Sequence, residues 1–229
     1  MEWLLRGIAK IAYGISNLVL RIMFLPKVTW EDKKVTKEAL KGKCVIYCNH
    51  TSMYDGIYVP QMIGRNIHTF TGKDWYEKKA IYWLFRNLPY IPINRMEMDT
   101  SWLDAGVKKL EENVPILIFP EGRISFARIP RDFKPGFLML AKRADAVLVP
   151  VCVDSKYRLF HRMHIIIGAP QKLDLNEEGR PSQVMKKYCK ICKDTNLSLK
   201  EKYGMPKHRV TDAEKQEFER LQKEESEAK

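Results

Sequence analysis

The sequence predicts an α/β domain built on a single mixed sheet and preceded by an amphipathic helical segment. Three observations predict it. Short apolar runs with the length of buried strands recur between residues 44 and 167, helical apolar spacing fills the intervals between them, and Gly, Pro or charged residues bound each run. The chain has 229 residues, 45% of them apolar, enough to bury one core, and no internal repeat argues for a second. We divide it into a helical segment (1–26), the α/β domain (27–200) and a charged tail (201–229).

In the first segment Leu4, Ile8, Ile11, Ile15, Leu18 or Val19, and Ile22 recur at helical spacing, while Glu2, Arg6, Lys10, Asn17 and Arg21 interrupt the apolar run. The stretch between Lys10 and Arg21 is shorter than the roughly 20 apolar residues of a bilayer span, and no small-residue cleavage site follows it. The pattern fits an anchor lying in a membrane interface. Periodicity alone equally allows a helix packed on the protein's own core.

Residues 26–42 are polar and lysine-rich. Strands are expected at 44–48, 67–71, 90–93, 116–119, 147–153 and 165–167, and helices at 54–63, 74–88, 101–112 and 136–143. Beyond Pro170 the chain turns polar. Residues 211–229 are almost all Glu, Lys, Gln and Arg, interrupted by Phe218 and Leu221, and read as a solvated, fraying helix.

Forty basic against 28 acidic residues give a net charge of +12, which suits phospholipid headgroups, phosphorylated substrates, an acidic carrier protein or nucleic acid without choosing among them. The five cysteines, at 44, 48, 152, 189 and 192, are odd in number, which excludes a fully paired disulfide framework and favours a reducing compartment. Cys189 and Cys192 form a CxxC, but no second pair or suitably spaced histidines accompany it, so no metal is expected.

Chemistry concentrates where the apolar runs end. The first run leads into Asn49-His50-Thr51-Ser52-Met53-Tyr54-Asp55-Gly56. Neutral imidazole suits proton removal from an alcohol, and a carboxylate one short turn away would fix its tautomer, which makes His50 the candidate base and Asp55 its partner. Alone, the pair reads equally as a satisfied histidine and a helix cap. The run at 116–119 leads into Phe119-Pro120-Glu121-Gly122-Arg123, where Arg123 can fork onto a phosphate and Glu121 can orient it or a substrate hydroxyl. Lys134-Pro135-Gly136 then opens a helix, whose free amides favour anions. Lys73 and Arg95 follow two further runs, so three strand ends bring cations beside the one that brings a base.

These blocks, NHTSMYDG, YIPINR, FPEGR and VLVPV, in this order over about 105 residues, resemble the motifs of the glycerolipid acyltransferases, and of these the bacterial 1-acyl-glycerol-3-phosphate acyltransferase type. The resemblance implies a mixed α/β domain with an N-terminal helical membrane anchor. It implies His50 as general base with Asp55 as its partner, Arg95, Glu121, Gly122 and Arg123 in or near the acceptor-phosphate site, and Lys73 in a phosphate-contacting position. Many members carry a threonine between the glycine and arginine of the third block; here Arg123 follows Gly122 directly.

The activity so implied moves a fatty acyl group from acyl-CoA or acyl carrier protein to the free hydroxyl of 1-acyl-glycerol-3-phosphate, forming phosphatidic acid without a cofactor. The expected partners are the donor, lysophosphatidic acid and membrane phospholipid, with no nucleic acid, at the cytoplasmic face of the cell membrane. A different lysophospholipid acceptor is the nearest alternative. A hydrolase using Ser52 or Ser125 lacks a GxSxG elbow, and a non-catalytic basic protein leaves the polar strand-end motifs unexplained.

Overall fold

The computed structural model describes residues 2–64, 66–73, 87–93, 100–125, 131–153, 159–160, 162–205 and 211–227. Seven strands form one sheet: β1 (Lys27–Trp30), β2 (Cys44–Cys48), β3 (His68–Gly72), β4 (Tyr90–Ile93), β5 (Ile116–Ile118), β6 (Val147–Val153) and β7 (His164–Ile167). They lie in the order β1-β7-β6-β2-β5-β3-β4. Neighbours are parallel except β6 and β7, which are antiparallel, so the sheet is mixed.

All five residues of β2 are buried because it runs between β5 and β6 with helices on both faces. This is why it reads as an unbroken apolar run rather than an alternating one. Side chains still alternate in direction. Val45 and Tyr47 join a core formed with α4 (Ser101–Glu111), α5 (Gly136–Ala144) and α6 (Pro181–Lys202), whereas Cys44, Ile46 and Cys48 join a second core with α3 (Asp55–Ile63) and the end of α1 (Glu2–Phe24).

α1 lies along α3 rather than standing apart. Ala9 and Phe24 are buried, Phe24 meets the Tyr58 ring edge-to-face at 5.6 Å, Gln61 Nε2 donates to Ser16 Oγ at 3.2 Å, and Arg21 reaches the Gln61 carbonyl at 3.4 Å. Ile8, Ile11, Ile15, Leu18, Val19 and Ile22, the periodic set seen in the sequence, are exposed. The interruptions by Lys10 and Arg21 understate the helix's reach. Its 23 residues span about 34 Å, and by length and composition Gly7–Phe24 is long and apolar enough to cross a bilayer.

Three elements were hidden in polar sequence. Residues 26–42 contain β1, where Val28 and Trp30 alternate with Lys27 and Thr29 at the sheet edge, and the short α2 (Lys33–Ala39), capped by Asp32 Oδ1 accepting from Val35 N at 2.9 Å. The helix around the two C-terminal cysteines runs for 22 residues and buries Val184, Tyr188, Cys189, Cys192 and Leu199, an apolar stripe among lysines. All five cysteines are buried and unpaired. The tail forms α7 (Asp212–Glu227), whose Phe218 ring lies 5.5 Å under the Arg131 guanidinium, so it has a foothold on the domain. The helix expected at 74–88 falls almost wholly outside the described residues.

The outgoing ends of β2 and β6 are locked by Asn49, whose side chain donates to the Val153 carbonyl at 3.0 Å and accepts from Val153 N–H at 2.9 Å. Replacing it leaves two buried backbone groups unsatisfied. Asn49→Ala is therefore expected to lower unfolding free energy by about 1–3 kcal/mol, read as a fall in Tm of roughly 2–4 °C per kcal/mol.

Candidate active site

β2, β3, β4, β5 and β6 run in one direction, so the segments that follow them emerge at one edge of the sheet. That edge receives His50 from β2, Lys73 from β3 and residues 119–125 from β5. β5 is the immediate neighbour of β2, and β3 lies one strand further, about 10 Å away. Arg95, two residues past β4, lies outside the described residues.

His50 is held from several sides. Its N–H donates to Glu121 Oε1 at 2.9 Å, and its carbonyl accepts from Ser125 N–H at 2.8 Å. Its ring stacks on Phe119, with centroids 4.2 Å apart and planes 17° from parallel. Its Nδ1 lies 3.0 Å from Asp55 Oδ2. An ionised carboxylate can only accept, so this contact fixes the proton on Nδ1 and leaves the lone pair of the neutral ring on Nε2, at the opposite edge. The His50 side chain keeps 16% of its surface open; Asp55 keeps none.

Asp55 opens α3, where the helix dipole favours an anion. Its Oδ2 also accepts from the N–H groups of Thr51 at 2.6 Å and Ser52 at 2.9 Å. The five-residue spacing between His50 and Asp55 thus closes a loop around one oxygen.

Glu121 is buried beneath this loop. One of its oxygens accepts from His50 N–H and the other from Arg131 N–H at 3.1 Å, so the carboxylate braces the backbone of the histidine. Burial pushes its pKa up, against the opposing effect of the two hydrogen bonds. Gly122 turns the chain at φ +72°, in the left-handed region that favours glycine, and a Cβ there would meet Lys134 Cδ at 3.1 Å and Nζ at 3.2 Å. Arg123 follows on the exposed side of the turn, as Lys73 does after β3.

The structure therefore brings His50, Asp55, Glu121 and Gly122 into one unit and sets Arg123 at its rim. It adds Lys134, whose ammonium reaches Gly122 because Lys134 N–H donates to the Pro120 carbonyl at 2.8 Å. The Lys-Pro-Gly helix opening carried that signal. Phe119 is a second addition: as the last apolar residue before the polar block it looked like strand, yet it is the platform for the imidazole. Among the described residues no group of three or more His, Cys, Asp or Glu is arranged to hold a metal ion.

A sequence model of the family described as Acyltransferase matches residues 27–154, more than half of the chain, taking in both the His50-Asp55 loop and the Glu121 turn. The chain belongs to the Acyltransferase family. Two relatives are both named 1-acyl-sn-glycerol-3-phosphate acyltransferase. One, from Cocos nucifera, is 29% identical over 125 residues, covering 50% of this chain and 38% of its own length. The other, from Bacillus subtilis, is 28% identical over 132 residues, covering 55% of this chain and 65% of its own length. The chain thus spans less than two thirds of either relative. The fold is shared with the crystal structure of the 1-acyl-sn-glycerophosphate (LPA) acyltransferase PlsC from Thermotoga maritima, at a TM-score of 0.59 and 16% identity over 91% of this chain and 81% of that one. Within an acyltransferase, an imidazole whose proton is pinned on Nδ1 is set to take a proton at Nε2.

The raised pKa of Glu121 has a measurable sign. A folded-state pKa above the ordinary 4.5 means the native protein is most stable with Glu121 protonated and loses stability as pH rises from the ordinary value through the raised one. Glu121→Gln removes that slope while adding an offset independent of pH. In urea denaturation the unfolding free energy of the variant minus that of the parent is expected to grow more positive from pH 4 toward neutrality.

Proposed function

We propose that this acyltransferase moves a fatty acyl group from an acyl thioester to the free hydroxyl of 1-acyl-glycerol-3-phosphate, giving phosphatidic acid. The observation that carries the reading is the His50 Nδ1 to Asp55 Oδ2 contact of 3.0 Å, at a sheet edge shared with Lys73, Arg123 and Lys134. Both relatives are named for this acceptor, which supports the reading.

In this mechanism the acceptor hydroxyl gives its proton to Nε2 of His50 as its oxygen bonds to the thioester carbonyl carbon. Asp55 stabilises the imidazolium that results. The tetrahedral intermediate collapses with cleavage of the C–S bond, and the imidazolium proton passes to the departing sulfur. No enzyme nucleophile is acylated, so donor and acceptor meet in a ternary complex. The acceptor phosphate is held by Arg123 and Lys134 with help from Lys73 and, by sequence order, Arg95. Glu121 and Gly122 shape that pocket, Glu121 by bracing His50 and Gly122 by turning Arg123 outward. The reading requires no cofactor beyond the thioester, carried by CoA or by acyl carrier protein.

The exposed apolar face of α1 supports attachment to a membrane interface, with the opposite face of the helix on the domain. Five buried, unpaired thiols suit the reducing, cytoplasmic side.

The test is release of free thiol by purified protein given lysophosphatidate and an acyl-CoA, with the lipid product identified. The parent is expected to form phosphatidate and to prefer lysophosphatidate over lysophospholipids with larger headgroups. His50→Ala is expected to abolish turnover while retaining vesicle binding, and Asp55→Asn to lower kcat by about 10²–10⁴-fold. Free fatty acid as the main product, or full activity in His50→Ala, contradicts the reading.

A further inference from the structure

We propose that Leu159 and Phe160 form a second membrane-contacting element, which together with α1 seats the catalytic edge of the domain on an anionic bilayer. This rests on the reading of α1 as an interface helix and adds the element that fixes how the domain is turned.

Phe160 and Leu159 are 67% and 56% exposed, among the most exposed large apolar side chains described. Phe160 is held at φ +56°, a left-handed conformation that a bulky side chain seldom adopts. The position is fixed by backbone hydrogen bonds: Phe160 N–H donates to the Met23 carbonyl at 2.7 Å, and Met163 N–H to the Phe24 carbonyl at 2.9 Å. The tip is therefore pinned to the last turn of α1, where Ile22 and Leu25 are also exposed. The apolar face that begins at Ile8 continues past the end of the helix onto the loop.

Charge identifies the occupant. Residues 3–30 contain no Asp or Glu, yet they carry Arg6, Lys10, Arg21 and Lys27, and Arg162 follows the loop tip two residues after Phe160. Of these Lys10, Arg21, Lys27 and Arg162 are exposed. Exposed apolar side chains interspersed with exposed cations fit acyl chains beneath anionic headgroups.

Topology links this surface to the site. The β6–β7 connection leaves from the end of β6 that Asn49 ties to β2, and β7 runs back antiparallel. Leu159 and Phe160 therefore sit at the sheet edge from which His50 emerges, two strands away, on the order of 10 Å. Met53 and Tyr54, beside Asp55 and ahead of α3, are exposed at the same edge. Insertion at Phe160 turns that edge toward the bilayer, where a single-chain lipid acceptor resides.

The test uses the full chain and vesicles of phosphatidylcholine with or without phosphatidylglycerol. Leu159→Ser/Phe160→Ser is expected to lower partitioning onto anionic vesicles at least tenfold, with an unchanged circular dichroism spectrum. Met139→Ser/Leu197→Ser, at exposed apolar positions on the opposite, α5–α6 side, is expected to bind as the parent does. Because all five native thiols are buried, a bimane label can be directed to Phe160→Cys, where lipid-borne nitroxide should quench it, and to Leu197→Cys, where it should not. Parent-like binding by the first double variant, or a label at position 160 that stays in water on bound protein, overturns the inference and leaves the role of α1 standing. Failure of the parent itself to bind anionic vesicles overturns both.

Discussion

The site depends on one buried carboxylate oxygen. Asp55 Oδ2 collects the His50 ring and the N–H groups of Thr51 and Ser52, at the start of a helix whose dipole favours its charge. A charge without solvent needs such compensation, and here the compensating groups are the loop itself. The same contacts that make the buried anion tolerable therefore fix the imidazole. Glu121 repeats the device one strand away, spending both oxygens on backbone N–H groups, so two acidic residues set the path of the chain on either side of the stacked rings of His50 and Phe119.

A parallel sheet makes this arrangement possible. With β2 between β5 and β6, the segments after β2 and β5 emerge side by side, and residues 71 positions apart in sequence become hydrogen-bonded neighbours. The antiparallel turn-back into β7 then returns the chain to α1 at the same edge. The His50–Asp55 loop, the cationic rim and the exposed apolar surface share one side of the molecule because strand direction puts them there.

Much of this was legible in the sequence, for identifiable reasons. Strands buried on both faces announce themselves as apolar runs, so β2, β5 and β6 were readable, and with them the positions of His50 and Glu121. The edge strand β1 was not, because a strand half open to solvent dilutes Val28 and Trp30 with Lys27 and Thr29. The buried stripe of α6 was masked by the lysines between its members. In the site, the spacing of His50 and Asp55 foretold their meeting, since five residues suffice for a closed turn. The brace from Glu121 to His50 N–H was not foretold, because a glutamate beside an arginine suggests a partner for that arginine, and only strand adjacency shows that the backbone of a distant loop lies closer. For Lys134 the Lys-Pro-Gly helix opening marked the residue, but its approach to Gly122 depends on tertiary contact that no local pattern gives.

The central claim is that Asp55 holds the proton of the neutral imidazole on Nδ1 and leaves Nε2 bare. Nitrogen-15 spectroscopy of histidine-labelled protein, with the His50 signals assigned by their loss in His50→Gln, tests it directly. At a pH where the ring is neutral, the account requires a protonated Nδ1 bearing a downfield, hydrogen-bonded proton, with Nε2 unprotonated. A neutral His50 carrying its proton on Nε2, or averaging between tautomers as a solvated ring does, contradicts it.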